Sequence, residues 1–347
     1  MSQGLDALTA ELTKKYGSNA LFPATELRPP VRFPTGSLSL DLALGGGWPG
    51  NRWMEVIGME SSGKTTVVLK SIAACQAVDP NFTTLWVAAE DFDEEWATLL
   101  GVDIARVAIA PFRRMEVVYD VMLRAAELKA VDAIVLDSYP ALIAAEEADK
   151  KMDENVMALG ARLTGKFWRK AGDAGARAHD GSERPLLGII INQWRQKVGA
   201  FSPHGTPKDS PGGWAKNFAY AVRLEVSRAE YIDEALPGGR GSQRVGQIIK
   251  CRTIKNKSAA PHRIASMDFY HTDTETLGFH AGEYDAAKEL VTMGVLNEAI
   301  ERRGAYFSVG DTRVHGKEAL LDYLRGDLTA QQELTAAITK RALGGGH

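Results

Sequence analysis

The sequence predicts an α/β fold around a mostly parallel central sheet, and three observations carry that prediction. Between residues 31 and 270, short apolar runs alternate with amphipathic stretches of helical period, the pattern of strands joined by crossover helices. Several runs, such as Ala133-Ile134-Val135-Leu136, are apolar without interruption, as strands covered on both faces are. Between the run Trp53-Met54-Glu55-Val56-Ile57 and the helical stretch Thr66 to Ala77 stands Gly58-Met59-Glu60-Ser61-Ser62-Gly63-Lys64-Thr65. This is a glycine-bounded strand-to-helix turn closed by a lysine and a hydroxyl.

Residues 1–34 hold a helix, Leu5 to Tyr16, and an irregular Pro-containing stretch. The segment is too small to fold alone and packs on its own core or on a neighbouring subunit. Residues 35–270 form the core, with strands expected at 53–57, 84–89, 107–109, 132–137, 186–192, 220–227 and 245–253. The polar stretch Asp268 to Gly282 reads as a boundary. Residues 271–340 then give a small α+β unit with helices at Tyr284 to Ala299 and Gly316 to Leu324 and a strand at Tyr306 to Val309. Residues 341–347 are a flexible tail.

Bulk properties narrow the function classes. A formal net charge of −3 gives no overall case for nucleic acid, so any such case must be local. No apolar run reaches membrane-spanning length, and the N-terminus lacks a basic-then-apolar signal pattern. Two cysteines, Cys75 and Cys251, are too few for a disulfide framework, and Cys75 reads as a small buried thiol. The expected location is the cytoplasm, with no membrane partner.

The turn at Gly58 has the spacing of a phosphate-binding loop for a nucleoside triphosphate. Glycines let the backbone wrap the phosphates, and N–H groups at the helix start offer partial positive charge. Gly58, Met59, Glu60, Ser61, Ser62, Gly63 and Thr66 would line the phosphates. Lys64 would reach the β and γ groups, and Thr65 would ligate Mg²⁺. Asp137, ending an apolar run, is a second candidate Mg²⁺ ligand or the cap of the next helix. Glu90, ending another, is a candidate base that orients attacking water, or a solvated strand-end acid; Asp91 and Asp93 lie close by. Trp96 could stack on adenine, although its spacing favours the core. Gln193 could sense the γ-phosphate or simply satisfy local backbone groups.

Two segments carry local positive charge. Arg162, Lys166, Arg169 and Lys170 recur at helical spacing around Phe167 and Trp168; alone, this reads as a solvated face over buried aromatics. Residues 194–216 form a long aperiodic loop with Arg195, Lys197, Lys208 and Lys216 against Asp209. Its cations and the Gly212-Gly213 N–H groups suit a phosphodiester backbone, bound without sequence preference and sensitive to salt. A substrate lid is the rival reading. Lys255-Asn256-Lys257 is a basic turn or a pair of cations aimed at a neighbour's nucleotide.

In order and spacing, Thr35-Gly36-Ser37-Leu38-Ser39-Leu40-Asp41, the Gly58–Thr66 turn, Leu136-Asp137-Ser138, Ile191-Asn192-Gln193, Gly212-Gly213 and Lys255-Asn256-Lys257-Ser258-Ala259-Ala260-Pro261 resemble the bacterial-type RecA recombinase family, in a divergent or phage-borne form. The resemblance runs from about residue 5 to residue 340. It implies a RecA-like P-loop core and a DNA-dependent ATPase that uses ATP and Mg²⁺. It also implies a homo-oligomeric helical filament on single-stranded DNA that pairs with homologous double-stranded DNA and exchanges strands. Glu90 would polarise water, and Asp93 and Trp96 would contact adenine, where the family usually has Tyr at the second position. Lys255 and Lys257 would reach the neighbour's ATP, and Phe218 would couple subunits. Residues around 146–160 and 194–213 would be the two DNA-binding loops, with Arg162 and Arg169 among the contacts. Lys14 and Lys15 lie on the helix that would pack on the adjacent subunit. Further implied partners are a LexA-like repressor and single-strand-binding or loading proteins. The chain departs from the pattern in its acidic first loop (Glu146, Glu147, Asp149, Asp153, Glu154), in Trp194 and Trp214, and in a long polar connection at 173–185. Two alternatives share the core: a hexameric DNA helicase or motor, and an ATP-gated DNA-binding filament with weak turnover.

Overall fold

The buried strands of the core order themselves around the one that leads into the Gly58 turn. In this computed structural model, residues 3–17, 21–22, 24–26, 29–148, 159–174, 184–196, 208–239 and 241–344 are described. The strands are β1 (Arg52–Gly58), β2 (Thr84–Ala88), β3 (Val107–Ala110), β4 (Ala133–Asp137), β5 (Leu187–Gln193), β6 (Val222–Ala235), β7 (Ser242–Asn256) and β8 (Ile264–Tyr270). They form an 8-stranded sheet in the order β8-β7-β6-β1-β5-β4-β2-β3. Pairing is parallel from β6 across to β3 and antiparallel along β6-β7-β8. The predicted α/β class with a mostly parallel sheet is the observed one.

Alternate residues of each strand serve opposite faces. Val56, Val135, Ile191 and Leu224 join Val68 and Ile72 of the Lys64–Val78 helix in one core. Ile134, Leu136 and Ile190 join Val118 and Met122 of the Met115–Glu127 helix and Phe167 of the Leu159–Ala174 helix in the other. Trp53 lies flat against Gly188, where an added Cβ would come within 2.4 Å of the indole, so no larger residue fits opposite it. Cys75 and Cys251 are both buried, and burial pushes both thiols up.

Several elements extend or add to the expected set. The strands expected at 220–227 and 245–253 continue as one long antiparallel hairpin. Its outer part, Ser227 to Tyr231, is exposed and offers no apolar run; there the Tyr231 ring lies between the Arg228 and Arg244 guanidiniums, at 4.2 and 3.4 Å from its centroid. β8 is an edge strand not among the expected ones, and its end, Asp268 to Tyr270, overlaps the stretch Asp268 to Gly282 read as a boundary. The Leu328–Leu343 helix, not anticipated, buries a narrow stripe of Ala330, Leu334 and Ile338.

The C-terminal elements comprise the helices Ala286–Leu296, Lys317–Gly326 and Leu328–Leu343 and a 3-stranded antiparallel sheet spanning 301–315. Their apolar cluster admits Leu42 from the Leu38–Leu44 helix. The same joint holds a buried carboxylate: Glu289 accepts from the Ser37 and Ser39 hydroxyls at 2.5 and 2.6 Å. Burial first, and then the charge of Asp41, push Glu289 up to about 7 against these hydrogen bonds.

Because its folded pKa lies above its unfolded value, Glu289 contributes stability that is full below the ordinary carboxylate range and is lost as pH rises through about 7. Glu289→Gln removes this dependence. Urea denaturation of the two proteins is expected to favour the variant by on the order of 1–3 kcal/mol at pH 8, with the gap closing by pH 5.

Candidate nucleotide site and nucleic-acid interface

The Gly58 turn sits at the carboxyl edge of the sheet, where β1 is flanked by β5 and β6, the edge at which open parallel sheets bind ligands. Gly58 has no room for a side chain: a Cβ would lie 2.2 Å from the Val226 carbonyl oxygen and 2.6 Å from Ser62 Oγ. Ser61 and Gly63 both adopt left-handed backbone, with φ of 53° and 92°. The turn thereby folds onto the first residue of the Lys64–Val78 helix, leaving that helix's first N–H groups at the loop. Ser62 Oγ is buried there and has no hydrogen-bond partner.

Lys64 folds back, its Nζ donating to the Met59 carbonyl at 2.7 Å. Burial lowers its pKa, opposed by the charges of Asp137, Glu90 and Glu60. Thr65 Oγ1 donates to Asp137 Oδ2 at 3.1 Å. Asp137 is pushed up to about 6 by burial and then by Glu90, against the Thr65 bond and Lys64.

The two acids are brought together by backbone. The Asp137 carbonyl accepts from the N–H groups of Ala89 and Glu90 at 2.8 and 3.0 Å, which ties the end of β4 to the segment following β2. The Ser138 hydroxyl donates to Glu90 Oε1. Gln193 pairs with Gly58 across β5 and β1, so its side chain leaves the sheet beside the first residue of the turn. Lys64, Thr65, Asp137, Glu90 and Gln193 therefore converge on one edge.

The donor set fits a magnesium nucleotide. Thr65 and Asp137 offer a hydroxyl and one carboxylate, hard oxygens suited to an ion that takes its other ligands from phosphates and water. Among the described residues there is no cluster of three or more His, Cys, Asp or Glu that would hold a metal by itself.

Asp93 and Trp96 have visible structural roles. Asp93 caps the Glu94–Leu99 helix, its Oδ1 accepting from Trp96 N at 2.9 Å. Trp96 packs edge-on to Phe269 with centroids 6.0 Å apart, partly buried against the core.

The basic residues are spread over several elements. Arg162 and Arg169 are exposed on the Leu159–Ala174 helix, whose Phe167 and Trp168 are buried. Arg195 is exposed and pairs through its backbone with Asp209 in a short ladder, Arg195–Gln196 against Lys208–Asp209. Gly212 and Gly213 have φ of 109° and 72°, a turn open to glycine. Lys197 and the acids Asp149, Asp153 and Glu154 lie outside the described residues. Lys14 and Lys15 are exposed on a helix that buries no residue, and Phe218 is 74% exposed. Lys255 Nζ donates to the Asn217 and Phe218 carbonyls, and Lys257 Nζ to the latter at 2.8 Å; both lysines cap the Ala215–Ala219 helix that carries Phe218.

One cation counted with the loop is not available to a nucleic acid. Lys216 is fully buried and its Nζ lies 3.1 Å from Glu55 Oε1. Glu55, Asn192, Ser210 and Arg223 surround it, a pairing that sequence spacing does not disclose; the one signal in the sequence is an acid, Glu55, inside the apolar run of β1.

Sheet order, turn and acids define a P-loop nucleotide-binding protein of the α/β class. Residues 3–275 match the family model described as the RecA N-terminal domain. The chain is 34% identical over 346 residues to Protein RecA of Thermus aquaticus, covering 98% of this chain and 94% of that one. It is 32% identical over 343 residues to Protein RecA of Frankia alni, covering 98% and 92%. Protein RecA of Rhodopirellula baltica is 33% identical over 325 residues, covering 92% and 80%. The chain belongs to the RecA family. No helix among the described residues is long and apolar enough to cross a membrane.

Asp93→Ala should destabilise the short Glu94–Leu99 helix by about 1 kcal/mol, whereas Asp93→Ser keeps the cap. If Asp93 also contacts the nucleotide, Asp93→Ser will weaken nucleotide affinity with no change in melting temperature. Calorimetry and thermal melts on the two variants separate the roles.

Proposed function

We propose that this chain is an ATP-dependent homologous DNA recombinase. It assembles as a helical filament on single-stranded DNA, pairs that strand with homologous duplex, and exchanges strands with DNA-stimulated ATP hydrolysis. The observation that supports this most is the convergence of Lys64, Thr65, Asp137, Glu90 and Gln193 on one sheet edge in a chain similar to Protein RecA along almost its whole length.

In this reading Lys64 exchanges the Met59 carbonyl for the β and γ phosphates. Thr65 and Asp137 would hold Mg²⁺, which would neutralise phosphate charge. Glu90, oriented by the Ser138 hydroxyl, accepts a hydrogen bond from the attacking water and aligns it with the γ-phosphorus. Gln193 registers the γ-phosphate at the start of the second DNA-binding loop. Lys255 and Lys257 reach the nucleotide held by the adjacent subunit, and the Gln3–Tyr16 helix with Lys14 and Lys15 packs on that subunit. Residues 35–270 act as the ATPase core and 271–340 as a separate small unit. Arg162, Arg169, Arg195, Lys197 and the Gly212-Gly213 N–H groups hold the DNA backbone, leaving base edges free for Watson–Crick testing of homology. Cytoplasmic DNA repair, with a repressor and loading proteins as partners, completes the proposal.

Hydrolysis measured with and without homology-free single-stranded DNA tests it. Strong stimulation is expected, lost in Lys64→Ala. Glu90→Gln should keep nucleotide binding while lowering kcat by roughly 10²–10⁴. Hydrolysis indifferent to DNA, or directional unwinding without homology-dependent exchange, would overturn the recombinase reading.

A further inference from the structure

A charged network lies buried directly behind the nucleotide edge, and none of its members belongs to the site described above. Glu55 of β1 is fully buried, with side-chain exposures of 0% for the acid and 1% for its partner Lys216. Glu55 Oε1 accepts from Lys216 Nζ at 3.1 Å and from Asn192 Nδ2 at 2.8 Å, and Oε2 accepts from Arg223 Nε at 2.6 Å. Lys216 Nζ also donates to Ser210 Oγ at 2.5 Å and to Asn217 Oδ1 at 3.0 Å, so all three ammonium hydrogens are engaged. Asn192 Nδ2 reaches the Pro211 carbonyl at 3.2 Å.

A buried ion pair is poor evidence of stabilisation, because apolar residues of the same volume do as well or better. The placement of this one is more informative. Glu55 is on the strand that ends in Gly58, and Asn192 precedes Gln193, which pairs with Gly58. Ser210, Pro211, Lys216 and Asn217 belong to the returning arm of the second loop and its helix. The aliphatic stem of Lys216 passes under Gly212, where a Cβ would come within 2.8 Å of Lys216 Cδ. The carbonyls of Asn217 and Phe218 receive Lys255 and Lys257. One ammonium thus ties the strand that leads into the phosphate loop to the segment ending in the exposed Phe218, and Glu55, its partner, also holds Asn192 of the sensor strand. It cannot shift without breaking bonds to Glu55, Ser210 or Asn217, so a displacement of any one of these is felt by the others.

We propose that Lys216, paired with Glu55, is the positioning residue that couples nucleotide occupancy to single-stranded DNA binding by the Ser210–Phe218 segment. This deepens the proposed function and rests on it.

The test measures a coupling, which a merely structural role would not move. Affinity for a fluorescent oligothymidylate is measured with and without a slowly hydrolysed ATP analogue and Mg²⁺, and the ratio is compared between the native chain and Lys216→Met. The variant leaves Glu55 paired with Arg223, so no lone charge is buried. The expected result is a ratio of about tenfold or more in the native chain, falling toward unity in Lys216→Met, with DNA-free nucleotide affinity within about threefold. Lys216→Gln, which retains a polar end, should lie between the two and serves as the reading if Lys216→Met does not melt as a folded protein. A preserved ratio in either folded variant, or two affinities that fall together with the ratio intact, overturns the inference alone. A native chain with no coupling overturns the functional reading and this inference with it.

Discussion

Charge held out of water at the carboxyl edge of the sheet is the constraint around which the rest is arranged. Lys64 and Asp137 are both buried, and desolvation works against the charge of each. Their mutual attraction and the Thr65 hydrogen bond to Asp137 offset that cost, while the charge of Glu90 adds to it at Asp137. A buried acid and a buried lysine, with the exposed Glu90 beside them, form a site whose electrostatics are unfinished. A polyanion with a divalent cation completes the balance: phosphates for Lys64, metal for the carboxylate and hydroxyl. The unpartnered Ser62 hydroxyl in the same turn points the same way.

Holding such groups in place demands a rigid frame, and the frame is backbone. The Asp137 carbonyl binds two successive N–H groups after β2, so the spacing of the acids is set by main chain rather than by side-chain rotamers. Gly58 lies against the Val226 carbonyl, and Gly63 against Ile249, where a Cβ would approach within 2.9 Å. The phosphate turn is therefore clamped against the β6-β7 hairpin, and the long pairing of that hairpin supports the turn as well as closing the sheet.

How much of this the sequence disclosed depended on the physical signal each part leaves. The turn was legible because glycines, lysine and threonine must recur at one spacing, and the buried strands because both faces leave apolar runs. Asp137, Glu90 and Gln193 were found as polar residues ending such runs, since strand ends are where side chains leave the core. The outer hairpin was not legible: between Ser227 and Tyr231 its stability comes from pairing and from arginines over a tyrosine, which leave no apolar period. The Leu328–Leu343 helix buries too thin a stripe to stand out. Lys216 was misread, because a lysine in a polar, glycine-rich loop signals solvent and its partner Glu55 lies 161 residues away in sequence. The pairing leaves only the acid inside the apolar run of β1 as a local sign, and the capping of a helix by Lys255 and Lys257 leaves none.

That last contact bears on how subunits would meet. In the single chain both lysines are engaged by carbonyls at the end of the Ala215–Ala219 helix, where cations favour the helix dipole. Burial, then Lys257 and Arg223, push Lys255 down to about 8, so its proton is held less firmly than that of an ordinary lysine. Under the filament reading these cations must leave the helix end for a neighbour's phosphates. The exchange trades partial negative charge on two carbonyls for full negative charge, which favours the departure and restores the lysine's affinity for its proton. The same step frees the end of the helix that carries Phe218, 74% exposed, and follows Trp214, 75% exposed. Release of the lysines would then act on a helix of five residues whose other end is anchored through Lys216 to Glu55, on the strand that leads into the phosphate turn.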